Sequence, residues 1–286
     1  MSIRIERVGR QALLLVAVSL LGGLLSATLV RFAPGFGVDE RELDPRLNEA
    51  SREALRSSHR LEAGLLAYYA RYLAGAVRGE LGTSAWLGRP ISSLIKERFP
   101  VTARSVLLGV ALAWLVALGI SLAAFFRYGL FFDVSGLLAS GLLIALPVAV
   151  IAMFSVYLRL PVSVAIAFAT FPKVFRYLRN LLAEAHAHPS MLAARARGIS
   201  RPRILFRHVG PLVSPALFAL FGVSLCMAFG AAIPIEALLD SPGVGQLAWQ
   251  AALNRDLPLI MNLTLLITLI TVAANGLSNL AGRRVP

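Results

Sequence analysis

Six apolar stretches punctuate this 286-residue chain, at about 11–30, 105–126, 134–158, 160–178, 211–235 and 257–281. Most reach the roughly 20 residues that cross a ~30 Å hydrocarbon core at 1.5 Å per residue. The pattern predicts an all-α, polytopic membrane protein with six spans. The fourth stretch is the weakest, because its uncharged part covers only 160–172. It crosses by carrying Lys173, Arg176 and Arg179 into the headgroup zone, where long cationic side chains snorkel. Pro147 predicts a kink in the third span, since it has no N–H to give to the preceding turn.

The segments between the stretches also have readable patterns. After the first comes a turn-rich, charged loop, then apolar residues at helical spacing over 47–77, including Leu61, Leu65, Tyr69, Tyr72 and Leu73. That spacing predicts an amphipathic helix on the membrane face or packed on the core. Residues 79–100 hold Gly79, Gly82, Gly88, Pro90 and Pro100, which predicts a loop and a short helix over 91–99 that ends before the second span. In 233–260, Ser241-Pro242-Gly243 predicts a turn and 246–253 a short helix, with Asp256 and Pro258 opening the last span. The Gly243 and Gly245 pair follows no strand, so it is no dinucleotide fingerprint.

Composition agrees with a membrane class: 57% of residues are apolar against roughly 45–50% in soluble domains, and mean hydropathy is +0.73. The net charge of +13 would suggest nucleic acid in a soluble protein, but its distribution assigns it to topology. Residues 1–10, 127–133, 173–210 and 282–286 hold 14 basic and 3 acidic residues, a net +11, leaving +2 for the alternate segments. The positive-inside rule then puts both termini and the 173–210 loop in the cytoplasm (N-in/C-in) and the 31–104 segment outside. The first stretch is too long for a cleaved signal and no A-x-A site follows, so an uncleaved anchor is expected. One cysteine, Cys226, excludes a disulfide within the chain.

The chemistry of a solitary enzyme is missing. The uncharged parts of the six spans hold no Asp, Glu, Lys, Arg or His, whereas carriers driven by ion gradients usually keep such groups in the membrane. No GxxxxGK[ST] loop occurs, so any ATPase is another polypeptide, and no catalytic motif or zinc pattern is present. His186 and His188 are two residues apart, off the i, i+4 spacing of a helical metal pair. No catalytic residue, metal or cofactor is therefore expected. A secondary carrier or channel is the alternative transport reading, and a membrane-embedded enzyme a third.

The 192–211 segment, LAARARGISRPRILFRHVGP, is the cationic exception. Pro189-Ser190 predicts a helix start with serine as cap, and Gly198 a stop in the left-handed conformation. The two-turn helix is slim at Ala193, Ala194 and Ala196, with Arg195 and Arg197 supplying charge. Ile199, Ile204, Leu205 and Phe206 are candidate anchors of the following turn.

This segment resembles the Glu-Ala-Ala loop of the membrane subunits of ABC importers, and specifically the oligopeptide, dipeptide and nickel permease branch. Ala194, Arg195, Ala196, Arg197, Gly198 and Ile199 match that branch's core, with Pro211 thirteen residues beyond the glycine. GELGTS with Gly88-Arg89-Pro90-Ile91 and ERFPVT, and later SPGVGQLAWQAALNRDLPLI, resemble it too. The last includes Ser241, Pro242, Gly243, Gly245, Arg255 and Asp256.

The resemblance implies a type I ABC importer fold, with residues 1–101 as anchor and extracytoplasmic loop and 102–286 as permease core carrying a coupling loop at 183–211. It implies a second permease subunit, two ATPase subunits that hold ATP and magnesium, and an extracytoplasmic binding protein, with membrane lipid around and no nucleic acid. Residues 193–199 with Pro211 would couple to the ATPase. Ser155, Asn262 and Thr264 are candidate pathway lining. Two departures stand out: Leu192 replaces the glutamate of the general motif, and only a few residues around Arg159 to Pro161 separate the third and fourth stretches.

Overall fold

The computed structural model describes residues 21, 22, 24, 25, 28, 72, 74–76, 78–126 and 129–282. Most of the first apolar stretch, the charged loop after it and nearly all of the 47–77 amphipathic segment lie outside the described residues. The order of elements is α1 Ile91–Phe126, α2 Gly129–Ala145, α3 Val148–Tyr157, α4 Val162–Ala187, α5 Pro189–Ala196, α6 Arg201–Ile204, a π-helical turn Leu205–Val209, α7 Gly210–Leu238, α8 Val244–Leu253 and α9 Leu257–Gly282. Among the described residues the only extended pairing is one bridge between Thr83 and Pro90.

Among the described residues, three helical segments are long and apolar enough to cross a membrane: Ile91–Phe125, Pro202–Leu238 and Leu257–Gly276. The stretch expected as a single third span is a broken pair, with α2 and α3 meeting at 101°. Pro147 is the cause. Its backbone is extended, with φ −57° and ψ 144°, and its carbonyl starts a new helix by accepting from Val150 N at 2.9 Å. α4 is 26 residues long but carries Lys173, Arg176, Arg179 and Glu184, which keeps it below the apolarity of the other segments.

Pro100 does not do what Pro147 does. The expected short helix over 91–99 is the first part of α1, which runs unbroken for 36 residues with Pro100 inside it. Ile91 and Leu94 before the proline, and Thr102, Val106 and Val110 after it, are all buried. That continuous burial offsets the ~3 kcal/mol that an interior proline costs.

The chain divides into two compact units, residues 1–97 with 250–268 and residues 98–249 with 269–286. In the second, α4 is the hub, packed by α2, α3, α5 and α7. Small residues bring the helices close. A Cβ on Gly136 of α2 would run into the Phe175 ring of α4, and one on Gly109 of α1 would lie 2.7 Å from the Ile166 side chain. Phe171 and Phe175 stack at 5.6 Å between ring centroids. Trp114 of α1 donates its indole N–H to Ser224 of α7 at 3.0 Å. In the first unit Ile91, Leu94, Leu257, Leu259, Met261 and Leu263 are buried.

Candidate functional site

The 189–211 segment is a short helix clamped at both ends. α4 stops at Ala187 and His188 takes extended backbone, φ −66° and ψ 138°, as a residue before proline must. α5 then opens on Pro189, so proline takes the first helical position and Ser190, the expected cap, lies within the helix. The other end closes as the sequence predicts. Gly198 sits at φ +71°, and Ile199 N reaches back to Ala194 O at 3.2 Å, the six-to-one bond of a Schellman cap.

Packing gives this helix two faces. Ala194 is buried, in one apolar cluster with Leu182 and Ala185 of α4 and with Ile204, Leu205 and Val209; Ile199 is packed against that cluster. Ala193, Ala196, Arg197 and Gly198 are exposed, as is Phe206, at 79%. The chain then widens into the π-turn, where Gly210 N donates to Leu205 O, and Pro211 lies at the start of α7. π-turns inside long helices frequently mark functional positions. α5 packs on α4 and on the π-turn that leads into α7.

About 39 Å along α7 from Gly210, at 1.5 Å per residue, the same helix ends in a polar clasp. Glu236 is fully buried. Its Oε2 accepts from Thr102 Oγ1 at 3.0 Å and from Gly245 N at 2.8 Å, while Val244 N donates to Thr102 Oγ1 at 2.7 Å. Gly243 and Gly245 are glycines for steric reasons: a Cβ on the first would overlap the Glu236 carboxyl, and one on the second would lie 2.7 Å from Ala232 O. Beside them Arg98 Nη1 donates to Gln246 Oε1 at 3.1 Å and Gln246 Nε2 to Asp240 Oδ1 at 2.5 Å. Ser241 N caps α7 on Glu236 O at 2.9 Å, and Pro242 is exposed.

Neither Glu236 nor Thr102 was among the residues the sequence singled out. The fifth apolar stretch, 211–235, holds no ionisable residue but stops one residue short of Glu236, and α7 continues past it to Leu238. The available signal was a glutamate five residues before SPGVG.

The end of the same motif builds a second junction, within the first unit. Asp256 is 1% exposed and caps α9 by accepting from Leu259 N at 3.0 Å. It also accepts from Ser84 Oγ at 2.5 Å and Trp86 N at 3.1 Å, so it fastens the GELGTS loop to the start of the last span. Arg255 has φ 52°, and Asp256 N closes α8 on Ala251 O at 2.9 Å. Asn262 is buried, donating to Leu81 O at 3.0 Å and Pro258 O at 2.8 Å and accepting from Tyr72 Oη at 3.1 Å. Ser155 is buried with its hydroxyl on Ile151 O at 2.8 Å, and Thr264 is half-buried. The site is thus two assemblies: residues 193–199 with Pro211, and the late motif parted between Glu236 and Ser84.

Residues 93–285 match the family described as binding-protein-dependent transport system inner membrane component. The chain belongs to that family. Its similarity to individual members extends over nearly the whole length. It is 25% identical over 301 residues, 95% of each chain, to the oligopeptide transport system permease protein AppB of Bacillus subtilis. To the oligopeptide transport system permease protein OppB of Haemophilus influenzae it is 28% identical over 277 residues, 87% of each chain. The OppB of Escherichia coli K12 is 28% identical over 272 residues, 85% of each. As a member of this family the chain is a multi-pass inner-membrane permease of an ABC importer, and the ATPase is a separate subunit. The carrier alternative finds no support.

Proposed function

We propose that this permease forms half of an import pathway for peptide-like solutes, facing a second, related permease subunit. In this reading it has six spans with both termini in the cytoplasm, two ATPase subunits dock beneath the pair of permeases with residues 193–199 as this subunit's contact, and an extracytoplasmic protein delivers the solute. The observation that carries it is the two-faced α5. Its buried Ala194 fixes it on α4, and its exposed, slim Ala193, Ala196 and Arg197 face is left for a groove on another protein. The peptide class is supported by the names of the relatives, which are oligopeptide permeases.

ATP-driven closure of the ATPase pair pushes α5, and α4 and α7 tilt together because they share one packed cluster with it. Work comes from contacts that differ between two states of the pathway. The test is uptake of a labelled tripeptide by liposomes holding the complete complex. Gly198→Val forces a β-branched residue to φ +71°, and this variant, like Arg195→Ala, is expected to lose ATP-dependent uptake while the complex still assembles. Uptake that persists after the ATPase subunits are stripped away refutes the proposal.

A further inference from the structure

Four residues along one line of α4 are polar and exposed: Lys173, Tyr177, Asn180 and Glu184. Successive gaps of four, three and four residues keep them in one narrow stripe of a 3.6-residue helix. Among the described residues none of these four side chains has a hydrogen-bond or ion-pair partner. The neighbouring cations do: Arg179 pairs with Asp133, and Arg176 Nε donates to Ser140 Oγ at 3.1 Å. Towards the start of α4 the same line is closed. Thr170 and Ile166 are buried, and Ile166 lies against Gly109 of α1.

Two neighbouring helices fix the depth of Lys173. α4 and α7 run antiparallel: Val162 and Ile166 share one cluster with Ala232 and Ile235, and Leu182 shares another with Val209 and Val213. Residues 173–180 of α4 therefore lie beside 219–227 of α7, with Lys173 level with Met227. That is eight residues, about 12 Å, inside the outer end of the 211–235 apolar stretch. Counting from α1, Gly109 is four residues inside the 105–126 stretch and Lys173 seven residues beyond Ile166, about 16 Å in all. The four-carbon stem of a lysine reaches roughly 6 Å. Lys173 thus does not reach the headgroup zone by snorkelling, as its sequence position suggested.

An exposed ammonium at that depth belongs on water or a polar partner, not on acyl chains. The exposed line of α1, by contrast, is Leu108, Leu112 and Leu115, as lipid requires. Cover by a second protein would leave unpaired charge in an interface core, where lysine and glutamate are depleted. We infer that this stripe of α4 lines a water-filled solute path, from Lys173 near its closed end to Glu184 towards the cytoplasm. Lys173 takes the carboxylate of a peptide-like solute, and Tyr177 and Asn180 hydrogen-bond its amide groups. The assignment rests on the import function proposed above and names the side chains that the solute meets.

The test uses the complete complex in liposomes, with Cys226→Ser as background. Lys173→Cys, Tyr177→Cys and Asn180→Cys are expected to react with a charged, membrane-impermeant methanethiosulfonate, and Leu112→Cys to stay unmodified. In uptake, Lys173→Gln should reduce entry of a labelled tripeptide roughly tenfold more than entry of its C-terminal amide, as loss of one charge-assisted contact implies. Lys173→Arg keeps the wild-type ratio. Where a Lys173 variant assembles poorly, positions 177 and 180 still carry the labelling arm. Stripe positions that stay unmodified in the assembled complex overturn the inference, since lipid or the second permease then covers them. An equal loss of acid and amide uptake in Lys173→Gln overturns the carboxylate role. Labelling is read without uptake, so the two readings fail separately. An unreactive stripe in a complex that still imports the tripeptide refutes only this inference. A reactive stripe in a complex that imports neither peptide leaves the lining standing, while the import function and the carboxylate role fall together.

Discussion

Gly245→Ala and Gly198→Ala add the same methyl group to two glycines of this chain, and the structure predicts different outcomes. At Gly245 the new carbon would lie 2.7 Å from Ala232 O and 2.8 Å from Ile233 Cα. Both are backbone atoms of α7, so no side-chain rotation relieves the overlap. Overpacking of this kind costs about 1–3 kcal/mol. Pushing α8 away also lengthens the 2.8 Å bond from Gly245 N to the buried Glu236 carboxyl, and leaving such a buried group unsatisfied costs about 1–3 kcal/mol.

Together these give a destabilisation of roughly 2–6 kcal/mol. At Gly198 nothing lies within 4 Å of the added carbon, and only the left-handed backbone opposes it, at about 1–2 kcal/mol. Thermal unfolding of the purified complex measures the difference. For chains of 150–250 residues 1 kcal/mol moves Tm by about 2–4 °C, so Gly245→Ala should fall by at least ~4 °C and by more than Gly198→Ala. A Gly245→Ala protein that melts with wild type, or above Gly198→Ala, refutes the close approach of α8 to α7.

Thr102→Val keeps the shape of Thr102 but removes both the donor to Glu236 and the acceptor for Val244 N. A loss of about 2 kcal/mol is expected by the same melting assay, with Thr102→Ser near wild type. Asp256→Ala strips the cap of α9 together with the ties to Ser84 and Trp86. It should cost about 2–4 kcal/mol and raise proteolytic cleavage in the 79–90 loop. Arg255→Gly relieves a non-glycine residue held at φ 52°, with an expected change in Tm between zero and a rise of about 2 °C.

Those contacts also mark where the sequence could be read and where it could not. Ends set by local chemistry were legible: Gly198 closing α5, Asp256 opening α9, and a short helix after Ser241-Pro242-Gly243. Prolines were legible in position but not in consequence. Pro147 breaks its stretch because a new helix starts on its own carbonyl, whereas Pro100 is absorbed because buried residues flank it on both sides. The Glu236 clasp was hidden because one partner, Thr102, lies 134 residues away in the chain, although the other, Gly245, is only nine residues on. Even so, the Gly243 and Gly245 pair had the right residue type for it. Those glycines make room for a carboxylate and a helix backbone.

Cysteine crosslinking tests the central claim most directly. With Cys226 replaced by serine, Ala193→Cys on the exposed face of α5 should crosslink to an ATPase subunit, with a yield that changes between nucleotide-free and ATP-bound complex. A cysteine at exposed Trp249 of α8 should give no such product. Crosslinking of position 249 but not of position 193 to the ATPase would contradict the account.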